Sequence, residues 1–341
     1  MKEYIQQFFE ICTPEIKLAT DLIMGLCEGR KVSGTALAYY VSGDASVKSK
    51  QRRIERFYNK RHIEPSYLLE AIKKIFGKEK FTLSFDRTNW KHGSKSINAL
   101  VAFAFRGEVG SLLNLKMLDN KGGNSKTQDR IEMAKDVIER YGKENIKSIL
   151  GDREFFSIEF ASWLNANDVP YAIRVKENLD FVQPYLAGGT KKGKVFKNIL
   201  ISSINGTELR GDLSVKKLDG EYLILVSHKV NNPLKEYRQR WSIERFFKML
   251  KTGGLNIEDT KMVDPKRIEI LFLLCGIAYL ICVKMGAYRH QKVKAIRKKI
   301  QYKCHEYSYF RWGIDWLKEL IMQGPDIIKQ LAAQILPGFQ P

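Results

Sequence analysis

Residues 81 to 90, FTLSFDRTNW, alternate apolar and small polar side chains. At the two-residue period of a strand, Phe81, Leu83 and Phe85 face one way and Thr82, Ser84 and Asp86 the other. The pattern predicts a core strand that stops at Asp86, followed by RTNWKHGSKS as a connection to two more strands, INALVAFAF and GSLLNLKML. The polar turn DNKGGNS comes next, and Asn124 and Ser125 are side chains suited to cap a helix over KTQDRIEMAKDVIERYG. IKSILGD then reads as a short buried strand, REFFSIEFASWLNANDV as a helix and PYAIRVKEN as a strand. Three strands, helix, strand, helix, strand predicts an α/β fold with a mixed sheet covered by helices.

The flanks differ. Residues 1–78 read as helical, with a turn at Gly43-Asp44 and a basic helix after it. Residues 177–233 carry strand patterns in KVFKNILISSI, TELRGDLSVKKL and EYLILVSHKV, separated by the hairpin signals NG and LDGE, and predict an antiparallel insertion. A helix resumes near Leu234, and the chain beyond Ile257 is mostly helical. Three regions are therefore expected: 1–78, 79–260 interrupted by the β-rich insertion at 177–233, and a helical, basic 261–341. The uncharged run from Ile270 to Val283 is shorter than the roughly 20 residues that span a bilayer, so a buried helix is expected there.

Charge narrows the class of partner. Of 341 residues, 58 are Lys or Arg against 38 Asp or Glu, a net charge of +20. An excess of this size points to a polyanion, and nucleic acid is favoured over an acidic membrane surface because no amphipathic anchor stands out. Lys48, Lys50, Arg52, Arg53, Arg56, Lys60 and Arg61 crowd residues 46–61 against Glu55 alone. Helix-turn-helix geometry and a solvated basic face both fit that segment. Residues 284–303 hold Lys284, Arg289, Lys292, Lys294, Arg297, Lys298, Lys299 and Lys303 with no acid, and read as a DNA-clamping helix or a solvated tail. The five cysteines lack a C-x-x-C and are odd in number, which fits free thiols in a reducing cytosol. The five histidines are scattered, and the N-terminus carries no signal-peptide cleavage pattern, so a cytoplasmic protein is expected.

Chemistry gathers at three acids. Asp86 ends the first strand, and Asp152 follows the buried strand that closes on Ile149 and Leu150. Carboxyl ends of strands are where open α/β sheets bind ligands; for Asp152, capping the next helix is an equal alternative. In YRQRWSIERFFKMLK, read as one helix from Tyr237, Arg240, Glu244 and Lys251 fall at about 300°, 340° and 320°, a single stripe. Ile243, Phe246, Phe247 and Leu250 form an adjacent apolar stripe that can pack on the sheet. An Arg240–Glu244 helix pair explains part of that spacing by itself. Three carboxylates from two strands and a helix are also a donor set for two hard cations, which assist in-line phosphoryl displacement. Trp90 and Trp241 lie near this centre and are expected mainly to pack in the core.

These stretches resemble those of DDE transposases of the insertion-sequence-four family. DRTNW with Gly93 resembles the family's first-aspartate motif, and GDREFFSIEFASWL with YAIRVKEN its second-aspartate block. YRQRWSIERFFKMLK fits the family's Y-x-x-R-x-x-x-E-x-x-x-x-x-x-K signature without a gap, and GGNSKTQDRIE is also similar. The likeness covers about residues 80–255. It implies an RNase H-like catalytic domain with Asp86, Asp152 and Glu244 as the metal-binding triad for two Mg²⁺, with Mn²⁺ as a substitute. It implies DNA contacts by Tyr237, Arg240, Lys251, Arg153 and Arg174. Residues 1–78, with Lys48, Arg52, Arg53 and Arg56, are expected to grip terminal inverted repeats in double-stranded DNA. The activity implied is metal-dependent strand cleavage and transfer by a homodimer bound to element ends and target DNA, with no membrane and no small-molecule substrate. A catalytically silent, domesticated transposase acting as a DNA-binding repressor is the alternative.

Overall fold

The computed structural model describes residues 2–9, 13–59, 64–119, 123–204, 207–301, 304–323, 331 and 334–335. Cys12, Lys60, Arg61, His62, Gly122 and Lys303 lie outside them.

The chain begins with five helices: α1 (Lys2–Gln6), α2 (Pro14–Gly29), α3 (Gly34–Ala38), α4 (Val47–Asn59) and α5 (Pro65–Phe76). Strands β1 (Phe81–His92), β2 (Lys95–Arg106) and β3 (Val109–Met117) follow as an antiparallel meander. Helix α6 (Thr127–Tyr141), strand β4 (Ile146–Gly151), helix α7 (Ile158–Ala166) and strand β5 (Tyr171–Arg174) complete a βαβαβ run in which β4 pairs parallel with both β1 and β5. After the short helix α8 (Gln183–Leu186) come β6 (Lys194–Ile204), β7 (Thr207–Lys217) and β8 (Tyr222–His228). β8 pairs antiparallel with β5, so the β-rich segment extends the same sheet to eight strands in the order β3-β2-β1-β4-β5-β8-β7-β6. The first five strands of that order, antiparallel then parallel, form the RNase H-like arrangement. Helices α9 (Pro233–Tyr237), α10 (Trp241–Lys251), α11 (Pro265–Tyr288) and α12 (Tyr309–Gln323) follow, with a two-residue ladder of β9 (Lys298–Lys299) and β10 (Cys304–His305) between the last two.

β1 departs from the sequence expectation in an informative way. The strand does not stop at Asp86 but runs on to His92, paired throughout with β2, and turns at Gly93, whose φ of 56° suits a residue without a Cβ. What ends near Asp86 is the partnership with β4, whose last rung is Phe85↔Gly151. β1 therefore leaves the parallel part of the sheet at Asp86 while its other edge stays paired.

Two further segments differ. The helix expected directly after Asp152 begins only at Ile158, capped by Ser157; Asp152 instead opens a 3₁₀ turn over Arg153–Phe155. Asn124 and Ser125 do not cap α6. Its first turn is closed by the Asp129 carboxylate, which accepts from the Lys126 amide at 3.0 Å.

The core fills both sides of the sheet, with α11 covering one and Phe155 and Phe160 packing on the other. That helix is apolar all round and buried almost throughout. It is long and apolar enough to cross a membrane by composition, yet 94% of its most apolar window is covered by the fold. α12 crosses it where Gly286 and Gly313 meet; a Cβ on Gly313 would lie 1.8 Å from the Cys282 carbonyl oxygen. The basic segment 284–303 is helical only at its start, where Lys284 lies in α11, and its described residues are not a loose tail. It makes a π-turn over Arg289–Val293 and then the β9–β10 ladder, with Arg289 set 4.3 Å from the Trp312 ring and paired with Glu319 at 2.6 Å. Cys27, Cys275 and Cys282 are buried free thiols and Cys304 is an exposed one.

Candidate active site

Register brings the two aspartates together. Phe85, Gly151 and Ile173 occupy one rung across β1, β4 and β5. One residue further on stand Asp86, Asp152 and Arg174, and neighbouring strands lie about 4.8 Å apart. Phe85 is fully buried, and its ring packs 6.4 Å from Phe155 and 6.2 Å from Phe160 on the α7 side. The alternation of the strand turns Asp86 to the other face, toward α9 and α10.

The segment carrying Glu244 is anchored to that face at two levels. Thr82 donates to Glu236 Oε1 at 2.7 Å, and Asp86 Oδ2 accepts from Arg240 Nη1 at 3.1 Å. Both pairs are separated by 154 residues in the chain, so the segment keeps step with β1. Glu236 also accepts from Lys147 at 2.8 Å and Ser148 at 3.3 Å, which ties α9 to β4. Burial opposes ionisation of Glu236, but these donors outweigh it and hold its pKa below the usual carboxylate range.

The expected single helix from Tyr237 is interrupted. Arg238–Arg240 form a 3₁₀ turn between α9 and α10. In a 3₁₀ turn residues i and i+3 eclipse, so Arg240 comes over Tyr237, its Cζ 5.8 Å from the ring centroid. The α-helix then resumes, and Arg240 reaches Glu244 one turn later as an ion pair. Of the apolar stripe, Ile243, Phe246 and Leu250 are buried and Phe247 is half-buried; Phe246 stacks 4.8 Å from Phe103 on β2 and meets Tyr279 on α11 edge to face at 4.9 Å. Lys251 donates to the Asn89 carbonyl at 2.8 Å and pairs with Glu258 at 2.9 Å, fastening the end of α10 to β1.

Electrostatics mark the centre. Burial pushes the Asp86 pKa up to about 6 from an ordinary 3.8; Arg240 and the Arg87 amide oppose the rise, and Asp152 and Glu244 add to it. Burial likewise drives Tyr237 up to about 12 against the pull of Arg240. Burial works against the charge of Arg240, but Tyr237, Asp86, Asp152 and Glu244 more than compensate and hold it firmly protonated. The Arg240 guanidinium is thus the internal counter-cation of the acid group.

A second clamp lies behind the sheet, and sequence reasoning missed it. Arg87 shares the Phe85 face and forms a two-pronged pair with Glu154, Nη2 to Oε2 at 2.8 Å and Nε to Oε1. Asn98 accepts from Arg87 Nη1 at 3.1 Å, and the Ser125 amide donates to Glu154 at 3.3 Å. Each partner stands beside an aspartate, Arg87 after Asp86 and Glu154 two after Asp152, so the pair locks β1 at Asp86 to the 3₁₀ turn that follows Asp152. Its members were visible inside DRTNW and GDREFF, but the β1–β4 register that joins them was not.

The remaining sequence candidates are placed as follows. Arg174 ends β5 in the aspartate row, and Arg153 follows Asp152; both reach Glu221. Trp90 is buried, as expected, whereas Trp241 is 63% exposed at the start of α10 and does not pack in the core. Lys48, Arg52 and Arg56 are exposed and Arg53 half-buried on α4, which packs through Ile54, Phe57 and Tyr58; among the described residues none of the four bonds to Asp86, Asp152 or Glu244.

Among the described residues no three Asp, Glu, His or Cys side chains close around a point that would hold a metal ion as they stand. The donor chemistry of Asp86, Asp152 and Glu244 nevertheless fits a hard cation: all offer carboxylate oxygens, and Arg240 already supplies positive charge between Asp86 and Glu244.

No curated protein matches the chain. Among solved structures it is similar to a piggyBac transposase in a synaptic complex with hairpin DNA, at 12% identity and a TM-score of 0.47, over 97% of this chain and 79% of that one. A Ciona intestinalis endonuclease V bound to inosine-containing DNA scores 0.25 at 14% identity, over 58% of this chain and 99% of that one. Marinitoga piezophila Argonaute bound to guide RNA and target DNA scores 0.23 at 14% identity, over 67% of this chain and 34% of that one. A family model described as the transposase DDE domain matches residues 77–281, from the approach to β1 into α11. That match spans more than half of the chain and takes in all three acids of the site, and the chain belongs to the transposase DDE domain family.

Proposed function

We propose that this chain is a transposase of the insertion-sequence-four type that cuts double-stranded DNA at the terminal inverted repeats of its element and joins the freed 3′-hydroxyl to target DNA. The observation that carries the reading is the alignment of Asp86 with Asp152 at the carboxyl edge of the parallel strands, with Glu244 linked to Asp86 through Arg240. Asp86, Asp152 and Glu244 are the residues to hold Mg²⁺, or Mn²⁺ in its place. A bound pair of such ions would supply Lewis-acid chemistry for activating water and stabilising the leaving oxygen of an in-line displacement. The chain's own task is to seat the scissile phosphate. Arg240, Tyr237 and Arg174 line the same edge, and Lys251 meets the backbone once it releases Glu258. Hydrolysis breaks a P–O3′ bond and frees a 3′-hydroxyl, and in the second step that hydroxyl attacks a target phosphodiester and displaces the target strand's own 3′-oxygen as a hydroxyl. No protein nucleophile is required.

The helical residues 1–78, with Lys48, Arg52, Arg53 and Arg56 on α4, would grip the element ends, and two copies of the chain would hold two ends. The +20 net charge supports a DNA partner.

The test is cleavage of end-containing DNA in Mg²⁺ by purified Asp86→Asn, Asp152→Asn and Glu244→Gln proteins. All three should lose cleavage and joining yet retain end binding. Wild-type nicking rates in any one of them would remove that residue from the triad. Wild-type protein that binds ends but never cuts them would favour a repressor instead.

A further inference from the structure

The hairpin turn between β7 and β8 touches the candidate site. Leu218–Glu221 form the turn, closed by the Leu218 amide donating to the Glu221 carbonyl at 2.8 Å, with Gly220 at φ 82°. Its last residue points an acid at two arginines. One oxygen of Glu221 accepts from Arg174 Nη2 at 2.9 Å and from Arg153 Nη2 at 3.3 Å. Those arginines flank Asp152, one next to it in the chain and the other across the β4–β5 register.

The fit of this carboxylate is incomplete. Arg174 presents a fork, yet it reaches Glu221 through Nη2 alone, on the oxygen that Arg153 also contacts, and its Nε is buried without a hydrogen-bond partner among the described residues. A guanidinium fork is matched by a group offering two oxygens in one plane, as a phosphate does. A cavity of about 370 Å³ opens beside Arg153 and Glu221, next to Arg174 along the chain at Val175, and is lined also by Lys176, Glu177 and Tyr222. Glu221 is 54% exposed, and exposed ion pairs of this kind contribute little.

We propose that Arg153 and Arg174 form a seat for a DNA backbone phosphate, and that Glu221 fills this seat in the free protein and sets the affinity for DNA by competing for it. The inference rests on the DNA-cleaving reading above and adds the residue that opposes it. A phosphate entering the seat satisfies Arg174 Nε and Nη2 together and releases the β7–β8 turn from the site.

The experiment is the binding of a fluorescent DNA duplex, followed by anisotropy at low and moderate salt, to full-length wild type, Glu221→Gln and Glu221→Ala. Glu208→Gln is the charge control, because Glu208 is an exposed acid of β7 whose ion pair among the described residues is with Arg210. Both Glu221 variants should bind roughly three- to tenfold more tightly than wild type, beyond any gain in the control, since one more phosphate contact goes unopposed. The gain should vanish in an Arg174→Ala background. Glu221 variants that bind no tighter than Glu208→Gln, or a gain that survives Arg174→Ala, would overturn the inference and leave the proposed function standing. Failure of every protein, wild type included, to bind the duplex would instead overturn the proposed function.

Discussion

Arg240 joins Asp86 to Glu244: one guanidinium nitrogen donates to Asp86 Oδ2 at 3.1 Å and another reaches the Glu244 carboxylate. It is the feature through which strand and helix share one centre. Removing it leaves partly buried acids facing one another without a counter-cation. Arg240→Ala should therefore lose about 1–3 kcal/mol of stability in chelator-treated buffer, less than a fully buried pair because the site is partly open to water. Mg²⁺ should then raise the melting temperature of the variant more than that of wild type. Calorimetry with and without the ion checks both; equal Mg²⁺ shifts in the two proteins would show that Arg240 does not stand in for a cation.

Asp86 makes a pH-dependent demand on stability. Its carboxyl takes up a proton at about pH 6 in the folded chain against an ordinary 3.8, chiefly through burial. The folded state then binds more protons than the unfolded one between roughly pH 4 and 6, so stability falls as pH rises through that window. Asp86→Asn should be more stable than wild type at pH 7 by about 1–3 kcal/mol without metal. The advantage should shrink as pH drops from 6 and disappear below 4. Urea denaturation across that range measures it, and a difference independent of pH would contradict the assignment.

The clamp behind the sheet should matter for rate more than for substrate binding. Arg87→Ala and Glu154→Ala each unlock β1 from the turn after Asp152, and the double variant should do little further damage. A coupling energy of about 1–2 kcal/mol is expected from a double-mutant cycle on unfolding. In a cleavage assay kcat should fall while KM changes little. Additive single effects would mean that the pair is not the link between β1 and the turn after Asp152.

Phe246 secures the helix that carries Glu244. Its ring is buried between Phe103, Phe272 and Tyr279. Phe246→Ala should cost about 3–5 kcal/mol, as large core truncations do. Phe246→Leu should cost less and keep the metal response of the wild type. Thermal melts of both variants test this, and an Ala variant as stable as Leu would place the anchor of α10 elsewhere.

Much of this molecule was legible along the chain because its information is local. The two-residue alternation of FTLSFD placed Asp86 on the face opposite Phe81, Leu83 and Phe85, and the helical period of SIERFFKML sorted Glu244 from the buried Ile243, Phe246 and Leu250. Both follow from backbone geometry, which repeats within a few residues. The strands β7 and β8 of the β-rich segment were legible through the LDGE turn between them.

Only the tertiary structure decided the rest, since it depends on pairings between residues far apart in sequence. That β1 continues past Asp86 is set by its partnership with β2, which no feature of RTNWKH announces. That Arg87 grips Glu154, and that Glu221 crosses to Arg153 and Arg174, follows from the order and register of strands brought together from separate parts of the chain. The eclipsed stacking of Arg240 over Tyr237 comes from a 3₁₀ turn adopted while α9 is held by Glu236 and α10 by Phe246. Charge and period assigned the side chains to faces; long-range registry chose which of them meet.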